Sequence, residues 1–158
     1  MKVSGTCENM KIKIDESRKN LTGMEFLRKR AAGELPNPSM SITVPMKITL
    51  IETNRVIMEA QGDERHLNPS NTIHGGFIAT VLDSVMSASI RTILKAGEDL
   101  TTMEINVKYL KPVLPGVELF AEGRVINISN RIGTAEGTLK NDAGELLAFA
   151  TTSCMIFR

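Results

Sequence analysis

Two hydrophobic periods organise the chain. Between Ser17 and Ala32, Leu21, Met24, Phe26, Leu27 and Ala31 fall on an approximate helical stripe, which Gly33 and Pro36 stop. Asn37-Pro38-Ser39 reads as a loop. Ile42–Leu50 and Val56–Gln61 read as strands joined by a turn at Thr53-Asn54. Asp63 to Ile73 is a polar loop, and a long apolar helix then runs from Gly75 to Leu94, ending at Lys95-Ala96-Gly97. The period next drops to two. Thr101–Leu110, Val117–Ile128, Gly133–Lys140 and Leu146–Phe157 are strand candidates. In the first of them, Met103, Ile105, Val107 and Tyr109 alternate with Glu104, Asn106 and Lys108, as in a half-buried strand. Turns are expected at Pro112–Gly116 and Asn141–Gly144.

This order predicts an α+β fold. Four successive antiparallel strands form a meander, and a curved sheet wraps one long central helix, with a further helix at the N-terminus. No repeat, low-complexity tract or second hydrophobic unit is visible. Residues 1–158 are expected to form one domain, with 1–35 an N-terminal extension bearing the first helix. A sheet packed on one side leaves edges that homo-oligomers use.

Composition narrows the function. The net charge of +1 offers no bulk attraction to nucleic acid or membrane. The absence of tryptophan and the single tyrosine leave few platforms for stacking bases. Nine methionines would suit either a groove for varied apolar groups or simply an adaptable core. Cys7 and Cys154 make no disulfide framework or metal pattern, which fits reduced thiols in the cytoplasm, with Cys154 in the core. The first residues, Met1-Lys-Val-Ser-Gly-Thr-Cys, contain no apolar leader. The helix from Gly75 is too short to cross a membrane and carries an acid and three serines before Arg91.

That acid is Asp83, the only charged residue from Gly75 to Ile90. A carboxylate among such neighbours is costly unless it is satisfied or used, so it reads as a functional group or as a satisfied polar spot in the core. The glycine pair Gly75-Gly76 sits where backbone N–H groups and the positive end of the helix dipole are exposed. Such a start can stabilise an oxyanion, or the glycines can merely permit tight packing. From His74 to Asp83 is nine residues, roughly 13.5 Å of rise and about 900° of rotation, half a turn out of phase. If helix start and acid act together, the acid must come from a second copy of the chain, at a two-fold interface. A histidine beside a helix start, as His74 is, is often structural. His66 is the only other histidine, and the sequence has no spacing for a zinc site, a catalytic triad, a phosphate loop or a dinucleotide motif.

Asn68, His74-Gly75-Gly76 and Asp83 together resemble the N-x5-HGG-x7-D motif of hotdog-fold acyl-CoA thioesterases of the PaaI-like branch. The likeness extends over residues 35–157 and includes Gly33-Glu34-Leu35-Pro36 and Tyr109-Leu110-Lys111-Pro112. The resemblance implies a hotdog fold in dimers that pair into tetramers, an acyl-CoA substrate and no cofactor. It implies that the Gly75 N–H polarises the thioester carbonyl and that Asn68 and His74 position substrate or water. Asp83 of the facing subunit would be nucleophile or general base, and Thr102, with Thr101 competing for the place, would help to hold the water. Gly76 and Arg131 would contact substrate, the latter at the CoA nucleotide, with Lys108, Lys111 and Arg124 further basic candidates; each of these cations can equally be ordinary solvated charge. A non-catalytic acyl-CoA-binding protein of the same fold is the alternative. A hotdog hydratase would need a different histidine and acid constellation.

Overall fold

The computed structural model describes residues 19–157. Helix α1 spans Gly23–Ala31 and the short helix α2 spans Met40–Thr43. Strands β1 (Met46–Glu52) and β2 (Arg55–Gln61) form a hairpin. A 3-10 turn at Glu64–His66 leads to the long helix α3, Gly75–Arg91. Strands β3 (Asp99–Tyr109), β4 (Glu118–Ile128), β5 (Ile132–Asn141) and β6 (Leu146–Phe157) complete the order.

All six strands belong to one antiparallel sheet, in the order β1-β2-β4-β5-β6-β3. The expected four-strand meander is therefore only partly right. β4, β5 and β6 run as successive hairpins, but β3 crosses to the far edge and pairs with β6. β1 and β3 are thus the two edges.

The sheet wraps α3, whose Phe77, Ile78, Val81, Leu82, Val85, Met86 and Ile90 form the centre of the core. Close approach is possible because β4 has Gly123 under the helix. A Cβ there would lie 2.4 Å from the Val85 carbonyl oxygen. α1 docks at the other side of α3, where a Cβ on Gly23 would lie 1.8 Å from the Arg91 carbonyl oxygen and the Gly23 N–H donates to the Leu94 carbonyl at 3.0 Å.

Element boundaries differ from expectation where capping decides. The first helix, expected from Ser17, begins at Gly23, because Thr22 and Glu25 form a reciprocal capping box; Ser17 and Arg18 lie outside the described residues. Ile42 and Thr43 are helical rather than strand, and β1 starts only after Pro45, which holds Val44 extended. α3 ends at Arg91, three residues early. The Thr92 N–H is shared between the carbonyls of Ala88 and Ser89, and its hydroxyl accepts from the Asn54 N–H at 2.9 Å, tying the helix end to the β1–β2 turn.

Candidate active site

The chemistry begins at the loop before α3. Asn68 makes three hydrogen bonds there: its Oδ1 accepts from the N–H groups of Ser70 (2.9 Å) and Thr72 (3.2 Å), and its Nδ2 donates to Thr72 Oγ1 (2.8 Å). Asn68 thus shapes the loop that delivers the helix start. His66 is likewise structural. Its Nδ1 accepts from the Asp63 N–H, its Nε2 contacts the Thr43 carbonyl at 2.7 Å, and its ring packs edge-on against Phe77.

His74 caps α3. Its Nδ1 accepts from the Gly76 N–H at 2.8 Å, which assigns the neutral ring with the proton on Nε2. The His74 carbonyl takes the N–H of Phe77 at 3.0 Å. Among the described residues no acceptor takes the Gly75 N–H, so one amide at the positive end of the helix is left open. Tyr109 lies against this point. Its hydroxyl donates to the Gly75 carbonyl at 2.9 Å, and a Cβ on Gly75 would stand 3.1 Å from its ring. Asn68, Thr72, Gly75, Tyr109 and Lys111 line a cleft of about 430 Å³ beside the open amide. Lys111 is paired with Glu145 and holds that carboxyl below its ordinary value.

Asp83 lies two turns further along α3. Its Oδ1 accepts from the Thr102 hydroxyl at 2.8 Å, and among the described residues Oδ2 takes no hydrogen bond. Thr102 faces Asp83 because β3 has a bulge at Met103. The strand pairs Thr102 with Cys154 but Glu104 with Ser153, so Met103 has no partner. In a regular strand Thr102 and Ile105, three positions apart, would point to opposite faces. With the bulge, Thr102 reaches the acid while Ile105 and Val107 stay packed against the core. Met103 is 56% exposed, so the simple alternation expected through this strand fails there. Thr101 is exposed on the other face, and of the two it is Thr102 that reaches Asp83.

Cys154 completes this neighbourhood, buried, with its sulfur 3.9 Å from the Thr102 hydroxyl. Burial pushes its thiol above the ordinary value, which suits core packing and not a nucleophile. Cys7 lies outside the described residues.

One chain therefore keeps the open amide and the acid apart. Gly75 and Asp83 are eight residues apart on a continuous helix, about 12 Å of rise. Arg131 is remote from the helix start: it lies exposed in the β4–β5 turn, where its carbonyl accepts from the Ile156 N–H. Arg124 pairs with Glu122 on the sheet, and Lys108 is exposed on β3. Tyr109 stands in the strand alternation and in the run Tyr109-Leu110-Lys111-Pro112, but its contact with the helix start has no counterpart in the N-x5-HGG-x7-D motif.

On a projection of 100° per residue, Gly76, Thr80, Asp83, Ser84, Ser87 and Arg91 share a sector about 100° wide. None of the six is buried, so this is the side of α3 that the sheet leaves uncovered. β3 flanks it at Asp83, while α1 and β1 flank it at Ser84 and Arg91. No helix of the described residues is long and apolar enough to cross a membrane, and no cluster among them could hold a metal ion.

The thioesterase superfamily profile matches residues 70–148, half of the sequence. The chain belongs to the thioesterase superfamily. Of the site residues, His74, Gly75, Gly76, Asp83, Thr102 and Arg131 lie inside the matched segment of the thioesterase profile, and Asn68 lies just before it. A relative in Archaeoglobus fulgidus, carrying a provisional esterase name, is 30% identical over 87 residues, which is 55% of this chain and only 54% of that protein. Acyl-coenzyme A thioesterase 13 of Mus musculus is 27% identical over 105 residues, 65% of this chain and 74% of its own. In solved structures, a phenylacetic acid degradation-related protein of Ralstonia eutropha JMP134 superposes with a TM-score of 0.77 at 25% identity, covering 82% of this chain and 98% of that one. A Streptococcus mutans UA159 protein crystallised with acetyl CoA superposes with a TM-score of 0.65 at 25% identity, over 71% of this chain and 88% of its own. The helix wrapped by a six-stranded antiparallel sheet is the hotdog fold of these thioesterases.

Proposed function

We propose that this protein is an acyl-CoA thioesterase whose active site is completed by a second copy of the chain. The observation that carries the proposal is the Asp83 carboxylate, oriented by Thr102 and left with one oxygen open, about 12 Å of helix from the open Gly75 amide. Neither half suffices for acyl transfer, which needs an oxyanion donor and a base or nucleophile about 3 Å from the same carbonyl. Two chains related by a two-fold axis supply both, twice over.

In this reading the Gly75 N–H of one chain donates to the thioester oxygen. Its alignment is fixed by the His74 cap and by Tyr109 holding the Gly75 carbonyl. Asp83 of the other chain approaches the carbonyl carbon. If its oxygen attacks directly, the carbon–sulfur bond breaks, the CoA thiolate leaves, and a water then cleaves the acyl–aspartyl anhydride and regenerates the carboxylate; if it instead takes a proton from an attacking water, the tetrahedral adduct expels the thiolate, and that proton passes to the thiolate. Both routes end in a carboxylic acid and free CoA. Thr102 keeps the carboxylate turned toward its work. Edge strand β3, with its unpaired backbone groups and exposed Met103, is the natural surface for the second copy. The acyl-CoA assignment is supported by the mouse relative's name and by the acetyl CoA held in the Streptococcus mutans structure.

Subunit mixing tests the shared site. Asp83→Ala and Asn68→Ala, the latter releasing the loop that delivers the helix start, should each be inactive. Co-refolded in equal amounts, they should recover about a quarter of wild-type activity, because half the dimers are mixed and one of two sites in each is intact. No recovery with mixed dimers demonstrated would place both residues in one chain's site.

A further inference from the structure

Among the described residues, Ser89, Thr92, Asp99 and Thr152 are polar and buried. Three of them have plain structural partners. Ser89 bonds within its own helix, Thr92 ties the end of α3 to the β1–β2 turn, and Asp99 pairs with Arg91. Thr152 differs. Its hydroxyl crosses from β6 to β3 and donates to the Glu104 carbonyl at 2.7 Å. Glu104 is the residue at which the β3–β6 pairing resumes after the unpaired Met103. Thr152 itself lies opposite Ile105, so the bond runs diagonally and clamps the peptide that closes the bulge.

The hydroxyl protons of this region are committed. A carbonyl and a carboxylate only accept, so the Thr152 proton is spent on Glu104 and the Thr102 proton on Asp83. Cys154 sits between the two hydroxyls, its sulfur 3.9 Å from Thr102 Oγ1 and 4.0 Å from Thr152 Oγ1. With both protons committed, the thiol is left as the donor, to one oxygen or the other. A polar row therefore crosses an otherwise apolar core: the Asp83 carboxylate, Thr102, Cys154, Thr152 and the Glu104 carbonyl. Thr102 is held twice in it, at its oxygen by the thiol and through its backbone by the bulge. A one-residue slip of β3 past β6 would turn its side chain to the opposite face and away from Asp83.

We infer that Thr152 is a positioning residue for the proposed reaction: its hydroxyl locks the β3 bulge and so keeps Thr102 turned to Asp83. This role presupposes the proposed thioesterase function. Thr152 reaches Asp83 only through Thr102. Valine would suit a buried strand position as well as threonine does, but would leave the Glu104 carbonyl without this donor.

The test measures steady-state thiol release, from the acyl-CoA that wild type turns over fastest, in Thr152→Val, Thr152→Ser, Thr102→Val and the double variant Thr102→Val/Thr152→Val. Thr152→Val should lower kcat by about fivefold or more with KM little changed, and Thr152→Ser should restore most of the loss. The double variant should be no slower than Thr102→Val alone, because Thr152 then has nothing left to position. Wild-type kcat in Thr152→Val, no rescue by serine, or a double variant slowed by the product of the two single losses would each overturn the inference and leave the thioesterase reading standing. Should Thr152→Val not fold, Thr152→Ala is read in the same way; failure of both to fold would mark Thr152 as a residue of the fold alone and overturn its positioning role. Should no acyl-CoA release thiol, or Asp83→Ala match wild type, the thioesterase reading fails, and a crystal structure of Thr152→Val decides the geometry. Loss of the Thr102–Asp83 hydrogen bond would uphold the clamp; a contact kept at 2.8 Å would overturn it.

Discussion

At the scale of single residues, the contact that matters most is one hydroxyl on one carboxylate. Thr102→Val keeps the shape of the side chain and removes the hydrogen bond to Asp83 Oδ1. A hydrogen bond to a charged acceptor contributes about 1.5–3 kcal/mol. If Thr102 orients Asp83 for the reaction, kcat should fall by about tenfold or more with KM little changed. Steady-state thiol release would check this, and an unchanged kcat would remove Thr102 from the mechanism. Asp83 stood out in the sequence as the one acid in an apolar helix, and the sequence left open whether it is a functional group or a satisfied polar spot. The choice between Thr101 and Thr102 was not legible, since it depends on the unpaired Met103, and a bulge leaves no periodic trace in eleven residues. The contact of Tyr109 with the helix start was not legible for another reason. Its role comes from a contact 34 positions away in sequence, made possible by a glycine that has no side chain to exclude its ring.

At the scale of elements, close approaches of helix to helix and helix to sheet hold α3, which carries both Gly75 and Asp83. α1 can lie on α3 only because residue 23 has no side chain. Gly23→Ala would drive a methyl group into the Arg91 carbonyl, which is backbone and has little room to yield. Overpacking of this kind typically costs about 1–3 kcal/mol. Chemical denaturation should show a loss of that size, with α1 losing hydrogen-exchange protection first; stability equal to wild type would mean that α1 docks otherwise. The periodicity located every long element, α3 and all six strands included. It misplaced boundaries where caps decide them, as at Thr22 and Thr92, and read the four residues of α2 partly as strand. Strand order was out of its reach. The alternation in β3 is the same whether the strand neighbours β4 or β6, and only the assembled sheet puts it at the edge.

At the scale of the whole molecule, surface charge pairs give stability a definite pH dependence. Arg65 holds the Asp63 carboxyl well below the usual carboxylate range, the Thr22 backbone and hydroxyl lower that of Glu25, and Lys111 lowers that of Glu145. Each folded value lies below the unfolded one, about 3.9 for Asp and 4.3 for Glu, so the native state favours the ionised form. Their contributions are present above about pH 4 and are lost as the pH falls from there through the lowered folded values. All three groups are exposed, so the effect is small and salt should weaken it. Thermal unfolding from pH 6 to pH 2.5 should show Tm falling below about pH 4, less steeply in high salt. A Tm independent of pH down to 3 would contradict the assignment.

The fold, the open Gly75 amide and the oriented Asp83 combine in the proposal that this chain hydrolyses thioesters with Asp83. The direct measurement is thiol release from a panel of acyl-CoAs, aliphatic from acetyl to palmitoyl together with phenylacetyl and benzoyl, with Asp83→Ala run beside wild type. The account predicts release by wild type and a loss of at least about a hundredfold in Asp83→Ala at unchanged Tm. Wild-type rates in Asp83→Ala, or no release from any member by the intact oligomer, would contradict it.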